Sequence, residues 1–224
     1  MSKIILITGG SSGIGKAIAT YLSSFDKYII YGTSRVSRNH SELPFNLIDL
    51  DVTSTRSIET CIENIISQHG KLDILIANAG LLGTLGPLNH INPQVWEQTI
   101  AVNVTANWRL IRSLDPLLRL SNSGRAIFLT SAAAQYHRAF WGLYATSKAA
   151  LEMIVRTYAQ EISQTNITAN LFNPGRTQTK MRAEAYPGED PNTIKTPEFV
   201  AKQLVNLALP KCLLNGEIIT ADEP

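Results

Sequence analysis

Tyr144 and Lys148 stand four residues apart, and Ser131 lies thirteen residues before the tyrosine. If the stretch is helical, the two side chains share a face with Cβ atoms roughly 6 Å apart, so a phenol and an ammonium enter one pocket. A phenol ordinarily titrates near ~10, and an adjacent cation lowers that value by stabilising the phenolate. A tyrosine placed in this way can exchange a proton with a substrate oxygen near neutral pH, as a general acid or base. Ser131, at the end of a predicted strand, can hold the same oxygen through its hydroxyl. A Tyr-x-x-x-Lys spacing also arises by chance, so its meaning depends on the elements that carry it.

Apolar runs predict strands over 3–8, 27–33, 45–50, 72–77, 125–130 and 167–172, with a short closing strand over 217–221. The first run, Lys-Ile-Ile-Leu-Ile-Thr, is continuous, as expected of a strand buried on both faces of a parallel sheet. Helical patterns fall between the runs: 16–24, a helix through His69 that Ser54 can cap, 94–120, 142–164 and 197–209. Asn103 lies inside the third of these and favours a kink there, because its amide competes for backbone hydrogen bonds. Pro116 argues against an unbroken helix and for a boundary or bend near Leu114–Asp115. Alternation of strand and helix predicts an α/β, Rossmann-like, doubly wound parallel sheet with helices on both faces, one domain spanning 1–224. Segment 176–197, with Pro187, Gly188 and Pro191, reads as a mobile excursion with at most a short helix, the kind that forms a substrate lid. Its charges read as a solvated surface.

The first strand runs into Gly9-Gly10-Ser11-Ser12-Gly13-Ile14-Gly15 and then a helix. Free N–H groups and the helix dipole make such a turn an anion site, and glycines let the backbone approach a pyrophosphate closely. The second strand ends at Ser34-Arg35, where a dinucleotide fold meets the adenosine ribose. An acidic residue there would take a 2′-hydroxyl; instead Arg35 stands there, with Arg38 soon after. A guanidinium suits a 2′-phosphate, which favours NADP(H) over NAD(H), against the rival reading of a plain surface arginine.

With 224 residues, 44% hydrophobic and 17% charged, the chain is long enough to bury a full core. A net charge of +2 gives no support to nucleic-acid binding. Cys61 and Cys212 lack CxxC spacing and read as free thiols in a reducing compartment. No apolar run approaches the ~18 residues of a membrane span, and the N-terminus lacks a signal-peptide layout. A cytoplasmic protein with no membrane or nucleic-acid partner is expected, and the four histidines show no ligand spacing for a metal.

Taken together these motifs resemble the short-chain dehydrogenase/reductase family, in its short single-domain branch. Thr8 to Gly15 matches the cofactor loop, Asp51 (followed by Val52) the adenine-contacting aspartate, Asn78-Ala79-Gly80 the turn after the fourth strand, and Pro174-Gly175 the turn beside the nicotinamide. Asn103, Ser131, Tyr144 and Lys148 match the catalytic tetrad. The resemblance implies that Tyr144 protonates a carbonyl oxygen in reduction or deprotonates an alcohol in oxidation. Lys148 would lower the tyrosine pKa and bind the nicotinamide ribose, and Ser131 would orient the substrate oxygen. Asn103 would anchor a water that links Lys148 to solvent. The backbone of Thr177 aligns with the position that meets the carboxamide, and Thr179 with one near the pyrophosphate. A small-molecule carbonyl or alcohol substrate and a homodimer or homotetramer are also implied. Ala77 stands where a second asparagine is common, and Ser12 where many NADP-users carry a basic residue.

Two rival functions differ in class: a catalytically silent nucleotide sensor or scaffold, and a dehydratase or epimerase on a related fold. The intact tetrad weighs against the first, and the glycine spacing against the second. His137 reads as an exposed loop residue before a substrate contact. Phe140 and Trp141 either line the pocket or pack under it, and Met181 and Tyr186 are pocket candidates within the lid.

Overall fold

A computed structural model describes residues 2–36 and 42–223. Strand β1 (Lys3–Thr8) leads into α1 (Gly13–Ser23), then β2 (Tyr28–Ser34), β3 (Asn46–Asp49), α2 (Thr55–His69) and β4 (Ile74–Ala77). Helix α3 (Pro93–Ile100) passes through a π-helical turn, Ala101–Thr105, into α4 (Ala106–Arg119). Then come β5 (Gly124–Leu129), α5 (Gly142–Glu161), β6 (Ile167–Asn173), α6 (Lys180–Ala185), α7 (Pro197–Ala208) and β7 (Ile218–Thr220). Among the described residues the seven strands form one parallel sheet in the order β3-β2-β1-β4-β5-β6-β7. The order reverses between β1 and β4, and in open α/β sheets ligands bind outside the strand ends at such a point.

Side chains of β1 alternate across the sheet, as the two-residue period of a strand requires. Ile4 and Leu6 face a core built with α2, α4 and α5. Ile5 and Ile7 face a second core built with α1 and α7. Covering both faces explains why the run is continuously apolar. Ser54 caps α2 by accepting from the Ser57 N–H at 3.3 Å.

Three expectations need correction. Helix α4 continues through Pro116 with no boundary at Leu114–Asp115. Proline removes one hydrogen bond near the helix end, and the buried Leu114, Leu117 and Leu118 on the core side hold that turn in place. The break falls at Asn103 instead, in the π turn, where the Asn107 Nδ2 donates to the Asn103 carbonyl at 2.8 Å. Helix α1 begins at Gly13, inside the glycine motif, because Ser12 in extended backbone serves as its cap position. Finally, the charges of 176–202 are not simply a solvated surface. Arg182 pairs with both oxygens of Glu189 at 2.5 and 2.6 Å and lies 3.6 Å over the Tyr186 ring, and Lys195 is buried.

Candidate active site

The glycine turn is held by its neighbours. Thr8, at the end of β1, accepts the N–H groups of Asn78 and Ala79 on its hydroxyl, each at 3.0 Å. The Asn78 amide returns two bonds, to the carbonyls of Thr8 at 3.0 Å and Gly9 at 3.2 Å. Asn78 thus staples β4 to the turn rather than reaching outward. Gly9 has φ of 68°, in the left-handed region. At Gly15 a Cβ would lie 2.2 Å from the Gly9 carbonyl oxygen and 2.5 Å from the Asn78 amide nitrogen, so helix and turn approach as only glycine permits. Ser12 makes no side-chain cap, and the first-turn N–H groups of α1 point into the cleft with the positive end of the helix dipole.

Two hollows meet at this turn and share Gly9, Ser12, Ala79 and Gly80. One, of about 430 Å³, is lined by Ser11, Ser12, Arg35, Asp51, Val52 and Gly80. Arg35 is exposed at the end of β2. Asp51 Oδ1 accepts from the N–H and hydroxyl of Thr53 at 2.9 and 2.6 Å; these bonds, with Arg35 adding a smaller effect, hold its carboxyl below the usual range. Arg38 lies outside the described residues. The other hollow, about 1040 Å³, runs from Gly13 and Ile14 past Asn78, Ala79 and Thr179 to Tyr144, Lys148, Pro174 and Met181. Thr179 caps α6 and lies against Gly13, its methyl 3.5 Å from where a Cβ would sit there. Thr177 is buried, with its hydroxyl donating to the Pro174 carbonyl at 3.1 Å.

Tyr144 and Lys148 fall on one face of α5, as their spacing requires. Both are buried. Ser131, just beyond β5, lies near enough to the Tyr144 hydroxyl to oppose the upward shift of its pKa, and its own hydroxyl accepts the Ala133 N–H at 3.2 Å. The Met181 sulfur sits 4.0 Å from the same phenol oxygen. Lys148 Nζ donates to the Leu129 carbonyl at 2.8 Å and stands 5.8 Å from the Tyr144 ring centre. Asn103, 0% exposed, spends its side chain on the Leu81 N–H and carbonyl, both at 2.8 Å, and on the Ser147 hydroxyl at 2.9 Å. Its Oδ1 and the Lys148 ammonium converge on Gly80, 3.4 and 3.6 Å from the Cβ position there.

The electrostatics reverse one expectation. Burial pushes the Tyr144 phenol up to about 12, with the nearby Ser131 working the other way. Burial also pushes the Lys148 ammonium down to about 8, opposed by Glu152. Desolvation disfavours both charged forms, and it outweighs the attraction that sequence spacing suggested. The phenol is therefore a proton donor across the neutral range, matched to an oxygen that gains negative charge. The group that changes charge near neutrality is Lys148. Turnover in the reductive direction is expected to hold at lower pH and fall as pH rises through about 8, when Lys148 loses its proton. A pH–rate profile checks this, and a profile flat to pH 10 contradicts it.

Trp141 and Tyr186, both candidates from the sequence, meet beside Tyr144 and are joined by Arg138, which was not among them. The Trp141 ring meets Tyr144 edge-on at 6.1 Å and Tyr186 at 5.5 Å. Arg138 lies over Trp141 at 5.6 Å and over Tyr186 at 5.3 Å, and hydrogen-bonds the Tyr186 hydroxyl. This stack ties the loop after Ser131 to the segment after Gly175. Phe140 adopts φ of 73° and is exposed, as is His137. Among the described residues no cluster of three or more His, Cys, Asp or Glu could hold a metal, and no helix is long and apolar enough to cross a membrane.

Residues 3–190 match the family model described as short chain dehydrogenase. The chain belongs to the short-chain dehydrogenase family. The uncharacterized oxidoreductase YciK of Escherichia coli K12 is 37% identical over 206 residues, covering 87% of this chain and 81% of that protein. Among solved structures, a short chain dehydrogenase of Shigella flexneri complexed with NADP has a TM-score of 0.88 and 32% identity, covering 98% of this chain and 96% of that one. One of Escherichia coli CFT073 complexed with NADPH has a TM-score of 0.87 and 33% identity over the same shares. Sheet and flanking helices are those of the family, and Asn103 of the π turn, Ser131 after β5, and Tyr144 and Lys148 of α5 lie at one end of the sheet.

Proposed function

We propose that this short-chain dehydrogenase is an NADP(H)-dependent oxidoreductase that reduces a carbonyl group of a small molecule, or oxidises the corresponding alcohol, with Tyr144 as the acid or base. The observation that carries this reading is that Tyr144 and Lys148 line the same cleft as the N-terminus of α1, Ser12 to Ile14. The residues fit a dinucleotide: Ser12, Gly13 and Ile14 at the start of α1 line the larger hollow, and Arg35 and Asp51 share the hollow beyond the turn. The solved relatives complexed with NADP and NADPH support the phosphorylated form.

In this reading the glycine turn and Thr179 hold the pyrophosphate, Asp51 and Val52 meet the adenine, and Arg35 takes the 2′-phosphate. Lys148 binds the nicotinamide ribose, and Pro174, Gly175 and the Thr177 backbone frame the carboxamide. The cofactor supplies the hydride. Ser131 holds the carbonyl oxygen, and Tyr144 delivers its proton to that oxygen as charge develops. Asn103, at the π turn beside Gly80, anchors a water that returns protons to Lys148. Segment 176–197 closes over the substrate as a lid, and copies of the chain pair as a homodimer or homotetramer.

Titration of the purified protein with NADPH and NADH, followed by fluorescence or thermal shift, tests the assignment. Tighter binding of NADPH is expected; binding of neither by folded protein would contradict the reading and favour a silent scaffold.

A further inference from the structure

Lys195 is a buried cation that the catalytic assignment does not use. It is 1% exposed, less than Lys148 at 5%. Lysines are rarely buried so fully without a partner. Its backbone pairs with Thr177 across the base of the lid segment, donating to the Arg176 carbonyl at 3.2 Å and accepting the Gln178 N–H at 2.8 Å. Its ammonium reaches the chain's last residues, donating to the Ala221 carbonyl and to Glu223 Oε1, each at 3.2 Å. That tail is itself held, since the Ala221 N–H donates to the Asn173 carbonyl at 2.9 Å and the Asp222 N–H to Gln203 Oε1 at 2.7 Å.

The ammonium sits directly behind the Pro174–Gly175 turn: a Cβ on Gly175 would lie 2.6 Å from Lys195 Nζ. Pro174 lines the same cleft as Tyr144 and Lys148. The proposed function sets the nicotinamide against this turn, and a ring held there would have the Lys195 ammonium behind it. The reduced ring is neutral and the oxidised ring carries a positive charge. A fixed cation screened from water behind the ring disfavours only the oxidised form. Glu223, with a side chain 65% exposed, offsets that field incompletely because water screens it.

We propose that Lys195, acting through the Pro174–Gly175 turn, selects the reduced over the oxidised cofactor, with Glu223 setting the strength of the bias. The inference rests on the proposed NADP(H) function and adds a binding preference to it: the chain holds NADPH more tightly and releases NADP⁺ more readily.

The test is the ratio of dissociation constants, Kd for NADP⁺ over Kd for NADPH, measured by titration without substrate. Lys195→Met removes the charge at similar length and is expected to lower the ratio about five- to tenfold. Glu223→Gln leaves the ammonium less neutralised and is expected to raise the ratio about two- to threefold. A merely structural role would weaken both forms by one factor and leave the ratio unchanged, and that result overturns the proposal. So does a ratio that falls in Glu223→Gln. Should Lys195→Met fail to fold, the exposed Glu223 position decides the sign alone. Wild-type protein that binds neither form contradicts the function itself, whereas binding with an unmoved ratio contradicts only the role of Lys195.

Discussion

Tyr144→Phe is expected to lower the reductive turnover number by about a thousandfold or more while leaving the Kd for NADPH within a few-fold. The substitution removes one oxygen. Among the described residues its hydrogen-bond partner is the Met181 sulfur at 4.0 Å, and the nearby Ser131 hydroxyl keeps its bond to the Ala133 N–H. No buried partner is therefore stranded, and the ring still meets Trp141. What disappears is the proton that burial keeps on the phenol up to about pH 12. Positioned general acids contribute roughly 10²–10⁴ in rate, and an alkoxide forming in a water-poor cleft without its donor lies at the high end. Steady-state assays with NADPH and a reactive aldehyde, beside a cofactor titration, separate the two effects. Retained turnover would remove Tyr144 from the chemistry.

Arg35→Ala is expected to weaken NADPH by about ten- to hundredfold and NADH by less than about threefold. A hydrogen bond to a charged group contributes roughly 1.5–3 kcal/mol, and each ~1.4 kcal/mol is tenfold in affinity. The exposure of Arg35 places the effect toward the lower figure and makes it sensitive to salt. Arg35→Lys should fall between, because a point charge keeps attraction but loses the two-pronged fit to phosphate. Parallel titrations of both cofactors measure this; equal losses would assign Arg35 a general electrostatic role and sink the phosphate clamp.

Features that depend on local backbone demands were legible in the sequence. The glycine turn is one, since close approach at Gly15 excludes every other residue type. The alternation of apolar runs with helical periods is another, because both faces of the sheet are covered. Asn103 announced a break, and the π turn is its physical form. Pro116 misled because a proline signal reports one lost hydrogen bond and not the packing of Leu114, Leu117 and Leu118 that outweighs it. The direction of the Tyr144 shift was hidden for a related reason: spacing reveals that Lys148 is near, but not how far both groups lie from water. Thr8 stood in the matched loop, but the bonds its hydroxyl accepts from Asn78 and Ala79 depend on β4 lying beside β1. Lys195 could not have been found. Its burial depends on pairing with Thr177 and on a tail that returns from β7, and in sequence it is one more charge in a polar stretch. The Arg138–Trp141–Tyr186 stack likewise joins two loops whose meeting no periodicity foretells.

The most direct test of carbonyl reduction is to follow the hydride. With NADPH carrying deuterium at both C4 positions and an aldehyde substrate, mass spectrometry of the alcohol should show one deuterium on the carbinol carbon with wild-type protein, and no labelled alcohol above background with Tyr144→Phe. Alcohol formed without deuterium, or labelled equally by the variant, would contradict direct transfer onto a carbonyl protonated by Tyr144.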